Sequence, residues 1–266
     1  MDGGWIKWSH GTVHWFLIAM IGAGVGYLGG LFGKGGSAIA TPFLALIGVP
    51  PLLAVASPLP ATVPGTLVAF RRYRREGFAD RRVILWSVGV GVPATVLGAI
   101  VTRWVDGDLL IGITDGVVAC LGLRVLLHRP PAAGPADEAS PPPATVIHPA
   151  RTQLALVAVT VGFLAGLLAN SGGFLLVPLY LAVLALPIKN ALACSLAVAA
   201  LLAIPGTIVH AALGHIDWHI AIVFGLASIP LSSVGARTAL RMDAAKLERV
   251  YGAGLFLLGT GLLLAR

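Results

Sequence analysis

A glycine-rich stretch that occurs twice does most to limit what this chain can become. Gly26, Leu28, Gly30, Leu31, Gly36 and Pro42 meet Gly162, Leu164, Gly166, Leu167, Gly172 and Pro178 at a constant offset of 136. Both stretches are apolar on both flanks, so both belong at membrane depth. Glycine at this density is expected to open a helix, because it leaves peptide groups exposed and loses the most backbone entropy on ordering. Pro42 and Pro178 each remove a further intrahelical hydrogen bond. Hydrocarbon does not tolerate bare peptide groups, so broken backbone must be buried in protein or line a watery cavity. Two broken helices at matching places in two halves point to a secondary transporter's binding site. The competing reading is close packing of helices through small residues.

Composition places the chain in the bilayer. Of 266 residues 57% are hydrophobic and 11% charged, with a mean hydropathy of +0.91. Soluble globular chains do not look like this. The net charge of +7 does not indicate nucleic acid, because the basic residues cluster between apolar runs. Cys120 and Cys194 lie inside apolar segments and read as small core residues. The first apolar run lacks a basic lead and a small-residue cleavage site, so it reads as a retained helix.

Apolar runs lie near 13–32, 37–49, 52–70, 83–102 and 109–127, then near 152–169, 173–186, 190–213, 218–236 and 248–265. The expected architecture is all-α and polytopic, with two inverted repeats of about five segments each. Residues 1–127 and 152–266 form the repeats, and 128–151 form a Pro/Ala-rich solvated linker. The second run of each half is shorter than the roughly 20 residues a span needs, which suggests re-entrant or half helices. Beyond Pro51 and Pro187 the offset becomes 137: Ala54 with Ala191, Gly77 with Gly214, Asp80 with Asp217, Pro93 with Pro230, Gly98 with Gly235. One single-residue shift over so long a register argues duplication.

Charge orients the halves. Arg71, Arg72, Arg74, Arg75, Arg81 and Arg82 follow the third run, whereas His210 to His219 hold no lysine or arginine. Arg237, Arg241, Lys246 and Arg249 precede the last run, whereas its counterpart has only Arg103. If basic loops stay inside, the halves point in opposite directions, with the linker inside and both termini outside. The same arginines would also suit anionic lipid headgroups.

Lys34 is the sharpest candidate for chemistry. An ionisable residue in a membrane segment is costly and usually functional. Here it sits among the free N–H groups of Gly35, Gly36 and Ser37, at the start of a half helix that favours an anion. Its bland alternative is snorkelling to a headgroup. Asn170 and Ser171, with Gly172 and Gly173, are the pseudo-symmetric partners, suited to the same anion or to a coupling ion. Ser57 and Ser195 begin the third runs and could bind substrate or bond back to their own helices. Pro42, Pro178, Pro64 and Pro205 are hinge or gating candidates. Asp115 would relay protons if it faces the interior. No metal cluster, organic cofactor or enzyme motif stands out; Asn170-Ser171-Gly172 only faintly resembles an intramembrane serine protease turn, with His210 or His215 as its base.

The Gly30-Leu31-Phe32-Gly33-Lys34-Gly35-Gly36-Ser37 turn with Pro42, then Gly48 to Pro51 and Ala54 to Ser57, resembles the TauE/SafE family of permeases, the sulfite exporters. So does Gly214-His215-Ile216-Asp217-Trp218. The resemblance covers nearly the whole chain outside the linker. It implies transport of sulfite, organosulfonates or related sulfur anions, usually outward, with coupling to an ion gradient and no organic cofactor. The family usually has an apolar residue at the place of Lys34 and glycines at the places of Ser37, Asn170 and Ser171, so a more strongly anionic substrate is expected here. The partners implied are a small anion, membrane lipids and at most a second copy of the chain, in a bacterial inner membrane. The rival readings are a cation or other small-solute permease and a membrane scaffold.

Overall fold

The computed structural model describes residues 12–33, 37–101, 151–167 and 172–264. Among these every regular element is an α-helix: α1 (Thr12–Phe32), α2 (Ser37–Leu46), α3 (Pro51–Ala56), α4 (Leu59–Arg75), α5 (Arg81–Val101), α6 (Arg151–Leu167), α7 (Gly173–Ala182), α8 (Ile188–Ala212), α9 (Trp218–Arg241) and α10 (Ala244–Leu264). The run at 109–127 with Asp115, the linker at 128–150, Cys120, Lys34, Gly35, Gly36, Asn170 and Ser171 lie outside the described residues.

Among the described residues five helical stretches are long and apolar enough to cross a membrane: His14–Phe32, Leu52–Arg75, Arg81–Val101, Ile188–Ala212 and Trp218–Arg241. Their surfaces invert the soluble pattern. Leu226 is 73% exposed and Phe16 65%, while Ser57, Thr95 and Ser195 are fully buried. Outward apolar side chains fit a lipid solvent, and these inward hydroxyls find backbone partners, carbonyls for Thr95 and Ser195 and an N–H for Ser57. α2 and α7 have 10 residues each, about 15 Å of helix, half of the roughly 30 Å hydrocarbon core. The two short runs therefore do not span as helices. α7 is also the more deeply set, with Leu175, Leu176, Val177 and Tyr180 all buried.

The third run departs from expectation. It is not one helix but α3 and α4, separated at Ser57 and Pro58. Pro58 and Pro60 supply no backbone N–H to carry an unbroken helix through this point. The counterpart, α8, is continuous through 25 residues.

The packing partners are exchanged between the halves. α1 packs chiefly on α9, and α6 on α5, while α4 and α8 lie between these pairs and touch each other. In the first seam Gly22 faces Phe224, Gly26 faces Ser228, Gly30 faces Ser232, and Gly235 faces the Tyr27 carbonyl. In the second, Gly162 faces Gly91, Gly166 faces Thr95, and Gly98 faces the Phe163 carbonyl. Residue numbers rise together in both seams, so α1 runs parallel to α9 and α5 parallel to α6. Gly26 and Gly30 thus do not open α1, contrary to the expectation from glycine density. Close backbone approach uses them, and the helix continues to Phe32.

The remaining contacts fix the other directions. Ala61 and Gly65 of α4 meet Gly225 and Ser232 of α9, a parallel pair. Leu59 meets Gly206, whereas the residues after it in α4 share a crevice with Leu196, so α4 and α8 are antiparallel. Cys194 Sγ lies 3.8 Å from the Asp80 carbonyl, and Leu202 lies against Gly91, so α8 and α5 are parallel. α1, α4 and α9 therefore run one way and α5, α6 and α8 the other. One end of the bundle gathers the arginine-rich end of α4, the starts of α5 and α8, and the end of α9. Arg72 Nε donates to Ser233 Oγ at 3.0 Å there, and Lys189 Nζ to the Leu240 carbonyl at 3.3 Å.

Two aspartates start the helices that follow the third runs. Asp80 Oδ1 accepts from the N–H of Arg82 at 2.8 Å and of Val83 at 3.1 Å. Asp217 Oδ1 accepts from His219 at 2.9 Å and Ile220 at 3.2 Å. Asp80→Ala and Asp217→Ala are each expected to lower stability by about 1 kcal/mol, and the Asn variants much less. Thermal unfolding in detergent measures this; equal loss in the Ala and Asn variants would refute the capping role.

Candidate functional site

The two helix breaks are at matching places. α1 stops at Phe32, and Gly33 takes a left-handed φ of +65°. On the other side Gly172 takes φ +71° and its carbonyl begins the hydrogen bonding of α7. A side chain at Gly172 would be strained by that φ and would also lie 2.8 Å from Val161 Cγ1. α2 and α7 each begin just past their break, at Ser37 and Gly173, and carry Pro42 and Pro178 in their interiors.

Both serine candidates are engaged. Ser195 Oγ donates to the Gly33 carbonyl at 2.8 Å, with the Leu192 carbonyl at 2.9 Å. It thus ties α8 to the last residue before the first break. Ser57 Oγ accepts from the Asp217 N–H at 2.9 Å, which ties the α3–α4 break to the start of α9. Each leaves the hydroxyl some capacity for a further partner. Pro64 and Pro205 lie inside α4 and α8; they are four residues out of the 137 register, so any bends fall one helical turn apart.

A crevice that sequence reasoning missed opens between α1, α4, α8 and α9. It is narrow, with about 10 Å³ open to a water-sized occupant, and Thr62, Gly65, Thr66, Ser228 and Ser232 supply its polar and small walls. The signal was present in the sequence. Thr62 with Thr66 and Ser228 with Ser232 are i, i+4 pairs, each a hydroxyl stripe along one helix face.

At the end of the bundle opposite the arginines, His210 Nδ1 and His215 Nδ1 lie 3.2 Å apart. His210 is buried in the last turn of α8. His215, in the turn before α9, has its pKa lowered by burial. A proton on both rings would set two charges at hydrogen-bond distance. The unfolded chain takes up the His215 proton more readily, so stability is expected to fall as pH drops through about 6.5. Unfolding temperatures between pH 7.5 and 5 check this; His215→Gln should flatten the profile, and an unchanged slope would refute the assignment. Among the described residues no group of three or more His, Cys, Asp or Glu side chains is placed to hold a metal.

Comparison with known proteins fits this architecture. Residues 18–262 match the family model described as Sulfite exporter TauE/SafE. A "Probable membrane transporter protein" of Xylella fastidiosa strain 9a5c is 31% identical over 242 residues, covering 89% of this chain and 90% of its own. The protein of the same description from strain Temecula1 is 30% identical over the same shares. The "Probable membrane transporter protein YunE" of Bacillus subtilis is 23% identical over 273 residues, covering 93% and 96%. No solved structure matches the chain. These relatives are described as probable membrane transporters, and the chain, a transporter rather than an enzyme, belongs to the sulfite exporter TauE/SafE family.

Proposed function

We propose that this membrane transporter exports small sulfur-containing anions, sulfite or organosulfonates, by alternating access in a fold of two inverted repeats. One observation carries the reading. Two helix breaks lie at one offset, each followed by a 10-residue helix whose N-terminus opens at the break. Unpaired N–H groups and the positive end of the helix dipole favour an anion at such a place. Lys34 adds a formal charge at the first break. In this reading Lys34, Gly35, Gly36 and Ser37 hold the substrate from one side, and Asn170, Ser171, Gly172 and Gly173 from the other. Ser195 stands beside the first break, bonded to the Gly33 carbonyl, and Ser57 stands at the α3–α4 break, bonded to the Asp217 N–H. Pro42, Pro178, Pro64 and Pro205 give the segments their freedom to bend, and Asp115 is the proton-relay candidate.

The inversion is supported by the two sets of three parallel helices, related by the sequence register and running opposite ways. The basic end then faces the cytoplasm of a bacterial inner membrane, with the linker inside and both termini outside. Arg75→Cys and Gly214→Cys are expected to label with an impermeant maleimide from opposite faces; labelling from one face would end the inverted-repeat reading. The substrate is tested by flux into proteoliposomes. Sulfite and sulfoacetate should saturate, with sulfoacetate preferred for its second acid group, while taurine and acetate should move at background. Acetate moving as fast as sulfite, or no anion moving at all, would overturn the assignment.

A further inference from the structure

The two glycine seams match, but the spaces beside them do not. On the first seam Thr62, Gly65 and Thr66 of α4 leave the crevice open. At the same register on α8 stand Ala199, Leu202 and Ala203. Leu202 is 1% exposed. Its Cδ2 lies 3.2 Å from where a Gly91 Cβ would stand, and its Cδ1 3.6 Å from that of Gly172. The second space is therefore filled by a leucine and has lost its two threonine hydroxyls. Gly91 also stands where Ser228 stands in the first.

The hydroxyls of the open crevice share one polarity. Thr66 Oγ1 lies 2.7 Å from the Thr62 carbonyl and Ser232 Oγ 2.9 Å from the Ser228 carbonyl. Thr62 Oγ1 lies 3.3 Å from the Pro58 carbonyl and Ser228 Oγ 3.4 Å from the Gly225 carbonyl. A hydroxyl has one proton, so once it is donated along its own helix only lone pairs remain for the crevice. All four residues are at least nine-tenths buried. Among the described residues no lysine, arginine or histidine lines the space, and no carboxylate either. Buried acceptor oxygens repel an oxyanion and suit a hard cation. The absence of carboxylates disfavours a divalent ion, which requires their charge. Neutral oxygens are ligands that secondary transporters offer sodium, and here hydroxyls on two continuous helices supply them.

We infer that the crevice between α1, α4, α8 and α9 is a seat for one monovalent alkali cation, sodium by size and ligand class, held by Thr62, Thr66, Ser228 and Ser232, and that the transporter couples through it. The seat rests on the transport reading only for the coupling role. Leu202 fills the matching space of the other half, so the described residues offer one such seat.

The test is thermal unfolding of the detergent-purified full chain in NaCl, KCl and choline chloride at equal ionic strength, followed by flux in proteoliposomes with and without sodium. Sodium should raise the unfolding temperature by several degrees over choline, as a ligand of the folded state alone must. The shift should vanish in Thr66→Val and Ser232→Ala, which remove an oxygen and little volume, and in Gly65→Leu, which fills the crevice as Leu202 fills its twin. Thr95→Val, on the filled side, should keep the shift. No sodium shift in the wild-type protein would overturn the seat, as would a shift that survives in both Thr66→Val and Ser232→Ala. Sulfur-anion flux that is indifferent to sodium would overturn the coupling and leave anion transport standing. A sodium shift with no anion flux would uphold the seat and overturn the anion reading, leaving a cation carrier.

Discussion

Alanine at Gly30 or Gly166 is expected to abolish the folded protein, although alanine at Gly24 in the same helix as Gly30 should stabilise it. A Cβ at Gly30 would overlap the Ser232 carbonyl, and one at Gly166 the Thr95 carbonyl. Both obstacles are backbone, fixed in a helix that cannot rotate them away. Overpacking against movable side chains already costs about 1–3 kcal/mol. Displacing a whole helix should cost more, against a total stability of about 5–15 kcal/mol. Gly24 has nothing within 4 Å of its Cβ position, so alanine there only raises helix propensity, by about 0.5–1 kcal/mol. Yield of monodisperse protein and its unfolding temperature separate the two cases. Similar behaviour of Gly30→Ala and Gly24→Ala would mean that the seams are not where they are drawn.

Lys34→Ala is expected to reduce sulfur-anion flux by about 10- to 150-fold at subsaturating substrate, the loss of one charge-assisted hydrogen bond of about 1.5–3 kcal/mol. Lys34→Arg should retain most of the flux, since the charge persists, and should shift preference among anions because a planar fork replaces a point charge. Initial rates in proteoliposomes, measured against substrate concentration, carry the comparison. An unaffected rate in Lys34→Ala would make this an interfacial lysine and move the binding role to Asn170 and Ser171.

Element positions were largely legible in the sequence, because apolar runs bounded by Gly, Pro and charge mark helices in lipid as clearly as in water. The starts of α2 at Ser37 and α7 at Gly173 coincide with the expected runs, since each follows a glycine break. The α3–α4 break was missed because Ser57 and Pro58 interrupt hydrogen bonding without interrupting hydrophobicity. The glycines were read with the wrong emphasis: density alone cannot separate a residue that breaks a helix, such as Gly33, from one that admits a neighbouring backbone, such as Gly30. Only the partner helix decides, and Ser232 is far away in sequence. The crevice was hidden for the same reason. Thr62 and Thr66 look like ordinary membrane hydroxyls until α9 brings Ser228 and Ser232 opposite them.

Contacts of backbone on backbone have little compliance, because no rotamer can absorb a displacement. α1 with α9, and α5 with α6, must therefore each swing as a single lever. Side chains such as Leu59 and Leu196 fill the contact between α4 and α8, and these can slip. In the proposed cycle, motion is thus expected in the two-helix plate of α4 and α8, between two stiff arms that each join helices from both halves. A crosslink across that plate should stall the machine while leaving both arms intact.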